Sequence, residues 1–250
     1  MIISREYRFI YIKTMKTAGS TLAAAFRGAA GEGVLRAPRD GDDHATPMDN
    51  EKLDQLGQHA FLRKTYKVFG PEISAFRVVT SERNPFDKLV SAYFFRGKRL
   101  EYLSADTDYR ADFANRLRAG EYDRIMSPKY YTLSGKILAD HVIRYEHLHE
   151  DFAEVVRDLG LPAGSVVSHT LKTDTRPDLY RGAKGVQRLF DDELVALVQA
   201  RFPHYFGLLG YQGIGSGCPK FVPHARLKAK RARFFKRQTA KTAPDDQGET

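Results

Sequence analysis

Apolar residues fall along the chain in short blocks, and each block carries its own period. Residues 8–13 (RFIYIK) alternate and are rich in aromatic and β-branched side chains, which predicts a strand. Residues 14–19 are a small-residue turn, and residues 20–30 (STLAAAFRGAA) read as a helix with Ser20 or Thr21 near its start. A Gly/Pro/Asp-rich connection over residues 31–43 leads to a helical stretch at 47–56. Residues 76–82 (FRVVTSE) predict a buried strand, followed at once by Arg83-Asn84-Pro85. Residues 86–100 have helical spacing, with Pro85 suited to the first turn. Residues 100–134 are polar and Tyr-rich and give no clear element. A third strand is expected at 141–145, a helix at 147–159 stopped by Gly160, a basic Gly-containing loop at 171–186, and a helix at 191–201 capped by Asp191. No internal repeat is visible. Strands alternating with helices predict an α/β fold whose central parallel sheet is flanked by helices. Ligands of such sheets bind at the carboxyl ends of the strands.

Composition narrows this picture. The chain has 250 residues, 42% of them hydrophobic and 12% aromatic, enough for the core of one domain. No apolar run approaches the roughly 20 residues that span a bilayer. Residues 1–9 are too short and too charged for a secretory signal and are expected to lead straight into the first strand. The single cysteine, Cys218, excludes an internal disulfide and a Cys-based metal site, and points to a reducing compartment.

The net charge of +9 is concentrated late in the chain. Residues 220–241 hold nine Lys or Arg and no Asp or Glu, whereas residues 1–218 carry 31 basic against 28 acidic side chains. The tail places Phe221, Leu227, Phe234 and Phe235 among its cations. That mixture suits an anionic membrane surface. It suits weak nucleic-acid binding equally, or a merely solvated tail, and the nearly balanced body says little about nucleic acid, which is not the expected partner.

Two loops at strand ends carry the chemistry. In Ile12-Lys13-Thr14-Met15-Lys16-Thr17-Ala18-Gly19-Ser20-Thr21, small residues turn between strand and helix. The N–H groups and dipole of the helix start make an anion seat, Lys16 adds a point charge, and Gly19 permits close approach. The order differs from the Walker pattern, because the lysine precedes the glycine. In the second loop, Arg83 ends a strand and Ser91 lies two helical turns further on. A guanidinium fork and a hydroxyl so placed suit one phosphate.

Together the loops resemble those of PAPS-dependent sulfotransferases, especially the carbohydrate branch. Lys16-Thr17-Ala18-Gly19-Ser20-Thr21 is similar to that branch's K-T-A-G-T-S loop, and Arg83-Asn84-Pro85 with Ser91 to its R-N-P…S element. Arg144-Tyr145-Glu146-His147-Leu148 is similar to R-F-E-x-L. The resemblance covers about residues 9–212, with Met15 where the family has proline and Ser20-Thr21 in inverted order. It implies a P-loop-like three-layer fold over residues 1–217, with 218–250 as a basic tail.

The resemblance further implies PAPS (3'-phosphoadenosine 5'-phosphosulfate) as co-substrate, no metal, and a carbohydrate or glycolipid acceptor. Lys13, Thr17, Ala18, Gly19, Ser20 and Thr21 would hold the 5'-phosphosulfate, Arg83 and Ser91 the 3'-phosphate, and Lys16 would be catalytic. Tyr180, Arg181 and Lys184, in a late basic loop, are further nucleotide candidates, Tyr180 toward the adenine. His44 is the first candidate for the base that deprotonates the acceptor, with His59 and Glu82 as competitors. Glu146 is expected to be a structural tether. Tyr102, Tyr109, Tyr122, Tyr130 and Tyr131 offer rings for an acceptor wall or for the core. The implied location is cytoplasmic, peripheral to the inner membrane face if the tail binds lipid. Two other readings compete: a nucleotide-dependent kinase with a variant phosphate loop, and a non-catalytic basic adaptor.

Overall fold

In the computed structural model, Ile2–Ser4 (β1) and Phe9–Ile12 (β2) pair antiparallel through a tight turn at residues 5–8. The structure describes residues 1–31, 34–36, 52, 55–104, 106–168, 175–223 and 227. Val34–Arg36 (β3) adds antiparallel to β1, while Arg77–Glu82 (β4) runs parallel to β2 and His141–Arg144 (β7) parallel to β4. The strand order is β3-β1-β2-β4-β7.

The protein is therefore α/β, but its five-stranded sheet is mixed and not the wholly parallel one expected. A four-residue turn can only return the chain antiparallel, so β1 fixes that edge. The charges of Arg5, Glu6 and Arg8 conceal the buried Met1-Ile2-Ile3 run that makes β1 a strand.

The two-residue period of the strands sends side chains to two cores. Ile10, Ile12, Val78 and Val142 pack with Leu62–Phe69 (α2) and Pro85–Leu100 (α3). Phe9, Tyr11, Val79 and Ile143 pack on the other face with Gly19–Ala30 (α1) and Leu148–Leu159 (α5). The expected glycine stop of α5 is present: Gly160 takes φ 66° and ψ 28°, a left-handed conformation that costs glycine nothing.

Residues 100–134, unassigned from the sequence, contain Tyr109–Arg118 (α4), capped by Asp108. A two-residue hairpin, Thr132–Leu133 (β5) with Lys136–Ile137 (β6), follows. The late basic stretch ends in Gly182–Gln187 (α6), and Asp192–Arg201 (α7) is capped by Asp191 as expected, ahead of Pro203–Gly207 (α8). The helix expected at 47–56 falls mostly outside the described residues. Among the described residues, no helix is long and apolar enough to cross a membrane.

The boundary placed after residue 217 falls inside packed structure. Cys218 and Leu227 are buried in the core, the Arg144 Nη1 donates to the Cys218 carbonyl (3.2 Å), and Lys220 pairs with Glu154. Residues 228–250, including Phe234 and Phe235, lie outside the described residues.

Candidate functional site

The strand ends of β2 and β4 are stitched together by hydroxyls. Thr17 Oγ1 lies 2.8 Å from both Thr14 Oγ1 and Ser81 Oγ, Thr14 donates to the Ser81 carbonyl, and the Tyr11 hydroxyl meets Ser81 at 3.0 Å. The Thr17 side chain is thus fully committed to fastening the two loops. Only its backbone remains for a ligand, a narrower role than the sequence suggested.

Beyond this staple the first loop folds back over the start of α1. Lys16 and Ala18 have φ of 63° and 58°, and Ala18 is the N-cap residue. No side chain caps α1 and its first turn has no acid, which leaves its positive end to an anion. A Cβ on Gly19 would come 2.7 Å from Lys13 Cγ and 3.0 Å from the Thr14 carbonyl, so the loop needs glycine there. Lys13, buried, donates to Ser20 Oγ (3.1 Å) and Gln58 Oε1 (3.4 Å). The Lys16 ammonium lies 3.7 Å from the centre of the Phe95 ring.

The second loop is equally anchored. The Asn84 side chain caps α3 through Phe86 and Asp87 and donates to the carbonyls of Gly213 (2.8 Å) and Ser216 (2.9 Å). Its backbone N–H donates to Glu146 (2.7 Å), which also accepts from Tyr211 (3.2 Å). Glu146 is the tether expected of it. Arg83 stacks 3.8 Å over Tyr145, binds Asp87, and reaches the Lys16 carbonyl at 3.4 Å. Arg176 closes on the same carboxylate at 2.6 Å. Burial lowers the Arg176 pKa while Asp87 raises it.

Both loops open into one cavity of about 1280 Å³. Lys13, Lys16, Ala18, Gly19, Ser20 and Thr21 line it from the first loop, and Arg83, Ser91 and Arg181 from the later segments. Nine Lys or Arg side chains face only Asp87 and Glu121 among acids. Such a surplus in a concave, low-dielectric wall concentrates anions.

Two of the late-loop candidates are elsewhere. Tyr180 packs on Phe94 and Tyr109, with ring centres 5.0 and 5.6 Å away, and does not line the cavity. Lys184 is exposed outside it. Arg181 stays at the cavity, tied to Asp178 and to the Arg176 carbonyl. The five tyrosines proposed for the acceptor wall do not line the cavity. Tyr122, Tyr130 and Tyr131 are core residues, and Tyr102 lies beneath Arg116.

Of the base candidates, His44 lies outside the described residues, as do Asp40, Asp42 and Asp43. His59 lines the cavity, its Nδ1 2.9 Å from the Lys13 carbonyl. Burial first, then nearby positive charges, lower its pKa to about 4. With Nδ1–H donated to that carbonyl, Nε2 keeps its lone pair at neutral pH. Glu82 is not placed to act as the base: it pairs with Lys88 (2.9 Å) and is buried, and it does not line the cavity. His141 and His147 pair with Asp158 and Glu150, and no three metal-ligating side chains cluster among the described residues.

The sequence reading missed Asp87, Phe95 and Arg99, although with Ser91 they form one helical stripe at intervals of four residues along α3. Arg176 carried no such signal.

No protein-family model matches the chain, and no solved structure matches it. The chain is 32% identical over 84 residues to a protein of Archaeoglobus fulgidus described as uncharacterized. That match covers 32% of this chain and 65% of the archaeal protein.

Proposed function

We propose that the protein is a sulfotransferase that moves a sulfuryl group from PAPS to a hydroxyl of a carbohydrate or glycolipid acceptor. The observation that carries this reading is that the Lys16 loop and the Arg83 element, each similar to one half of a PAPS site, line a single cavity with excess positive charge. The parallel trio β2, β4 and β7, covered by helices on both faces, is what a P-loop-like three-layer fold requires.

PAPS supplies an activated sulfuryl group on a bridging oxygen. The acceptor oxygen bonds to sulfur as the sulfur–bridging oxygen bond breaks, and 3'-phosphoadenosine 5'-phosphate leaves. Lys16 neutralises charge growing on the leaving oxygen, and the uncapped start of α1 holds the 5'-phosphate. The Lys16 ammonium rests on the Phe95 ring, and both residues line the cavity. Arg83 and Ser91 hold the 3'-phosphate, with Asp87 and Tyr145 fixing the guanidinium plane. His59 Nε2 takes the acceptor proton unless His44 does, and swapping each for Gln separates them by which loss removes turnover. We place the enzyme in the cytoplasm, with its basic tail facing the membrane.

Calorimetry with 3'-phosphoadenosine 5'-phosphate tests the reading directly. Binding at low micromolar concentration, indifferent to chelators, supports it. Heat with ATP and magnesium alone supports a kinase and overturns it.

A further inference from the structure

Phe94 and Phe95 are adjacent on α3 but face different surroundings. Phe94 is buried in the core, whereas Phe95 is half-buried and lines the cavity. There the Lys16 ammonium lies 3.7 Å from the centre of the Phe95 ring. That is within reach of a cation–π attraction, which strengthens where water is partly excluded.

Lys16 is held at both ends. Its φ of 63° puts a lysine in the left-handed region, a conformation that costs energy and persists only where neighbours over-determine the backbone. The Arg83 Nη1 donates to its carbonyl at 3.4 Å, and the Phe95 ring receives its ammonium. Asp87, Ser91 and Phe95 follow one another at four-residue intervals, so they share one face of α3, and all three line the cavity. Asp87 binds the Arg83 guanidinium about two turns before the ring that meets Lys16. One helix thus holds a cation from each of the two loops. A ring face binds an ammonium more weakly than an oxyanion does, so it can seat Lys16 in the empty site and yield it to a ligand.

We infer that Phe95 is a positioning residue, whose ring seats the Lys16 ammonium inside the cavity for delivery to the leaving oxygen. The delivery rests on the proposed function; the seat does not.

The seat is read by nuclear magnetic resonance on nucleotide-free protein, isotopically labelled at the lysine ε carbons, with Lys16→Arg assigning the signal. Protons held over an aromatic face resonate upfield. The Lys16 ε protons should therefore lie upfield in the parent and in Phe95→Tyr. In Phe95→Leu, which keeps an apolar side chain without a ring, they should return to the range of exposed lysines.

Single-turnover consumption of labelled PAPS reads the consequence, with water as acceptor so that a ring that merely stacks on a sugar does not register. The water oxygen bonds to sulfur as the sulfur–bridging oxygen bond breaks, giving sulfate and 3'-phosphoadenosine 5'-phosphate, and both water protons pass to solvent. Phe95→Leu should slow this step about tenfold, the size of one partly desolvated cation–π contact, and keep 3'-phosphoadenosine 5'-phosphate affinity within about threefold. Phe95→Tyr should restore the rate. An ordinary Lys16 shift in the parent, an upfield shift that survives in Phe95→Leu, equal rates in the Leu and Tyr variants, or equal losses of rate and affinity in Phe95→Leu would overturn the inference. A parent that neither binds the nucleotide nor consumes PAPS counts against the proposed function alone, and the shifts still decide whether the ring seats Lys16.

Discussion

Glu82 and Arg83 are neighbours in the chain, yet they belong to two different kinds of charge cluster. Glu82 meets Lys88 and the Tyr205 hydroxyl in a closed set: Lys88 donates to Glu82 at 2.9 Å and to Tyr205 at 2.7 Å, and all three are buried. One negative and one positive charge cancel, and nothing is left over for a ligand. Burial lowers the Lys88 pKa and the Glu82 charge raises it. Arg83 meets Asp87 and Arg176 at a cavity wall, where two guanidinium groups share one carboxylate. The first cluster is balanced and dry, so it fastens β4 to α3 and α8. The second is unbalanced and open, so it can exchange its internal partner for an anion. Balance and access, more than the presence of charge, separate architecture from recognition here.

The largest expected effect breaks the closed cluster. Lys88→Ala strands the Glu82 carboxylate in the core and should cost about 3–5 kcal/mol, read as a lower urea midpoint. The double variant Glu82→Gln, Lys88→Met removes both charges and should lose less than about 2 kcal/mol. A Lys88→Ala protein as stable as the parent would show that water reaches Glu82 and that the two clusters are not different in kind.

Removing a charge from the open cluster should do the reverse. Arg83→Ala should weaken 3'-phosphoadenosine 5'-phosphate by roughly 30- to 100-fold, the loss of charge-assisted contacts to a phosphate. Its stability should change by less than about 1 kcal/mol, because Arg176 still neutralises Asp87. Calorimetry and a melting curve on one sample check both halves. An equal loss of stability and affinity would mean that Arg83, like Lys88, is mainly structural.

How much of this was legible follows the same divide. The Lys16 loop and the Arg83 element are local in sequence, so their residue types and strand-end positions could be read directly. The α/β class was readable from alternating periods, but β1 was not, since three apolar residues beside Arg5 and Glu6 are too few and too close to charge to read as a separate strand. Lys88 could not be distinguished from a surface lysine on α3, because its partner Tyr205 is 117 positions away. Arg176 reaches Asp87 across 89 positions, and no periodicity encodes such a meeting. Tyr180 was misjudged for a related reason: a basic loop suggests phosphates, but its ring finds Phe94 and Tyr109 first.

Two histidines give the comparison a pH axis. His59 lies on the cavity and His204 near Lys88, and burial lowers each to about 4. Unfolding restores the ordinary value of 6.5, so between pH 6.5 and 4 the unfolded chain binds more protons. Stability should therefore fall as pH falls through that window, by about 1.4 kcal/mol per pH unit for each group once pH is well inside it. Saturating the cavity with inorganic sulfate should raise the His59 value and remove its share, leaving that of His204. Urea titrations at pH 4.5, 5.5 and 6.5, with and without sulfate, measure the difference, and His59→Gln should make it vanish. An unchanged slope in sulfate would put the anion far from His59.

The smallest expected effect asks whether position in the cavity matters more than charge alone. Arg181 and Lys184 are three residues apart, both cationic and both exposed, but only Arg181 lines the cavity. If the nucleotide responds to local contacts, Arg181→Ala should weaken 3'-phosphoadenosine 5'-phosphate several-fold, and Lys184→Ala should change it by less than about twofold. If it responds to the general positive field, both variants should weaken it equally, and the difference between them should remain zero as salt is raised. Screening over about 10 Å at 0.1 M salt suppresses the field more than a direct contact. A gap between the variants that persists from 0.02 to 0.3 M salt therefore marks Arg181 as part of the open cluster. A common loss that disappears with salt would extend that cluster's influence beyond the cavity wall.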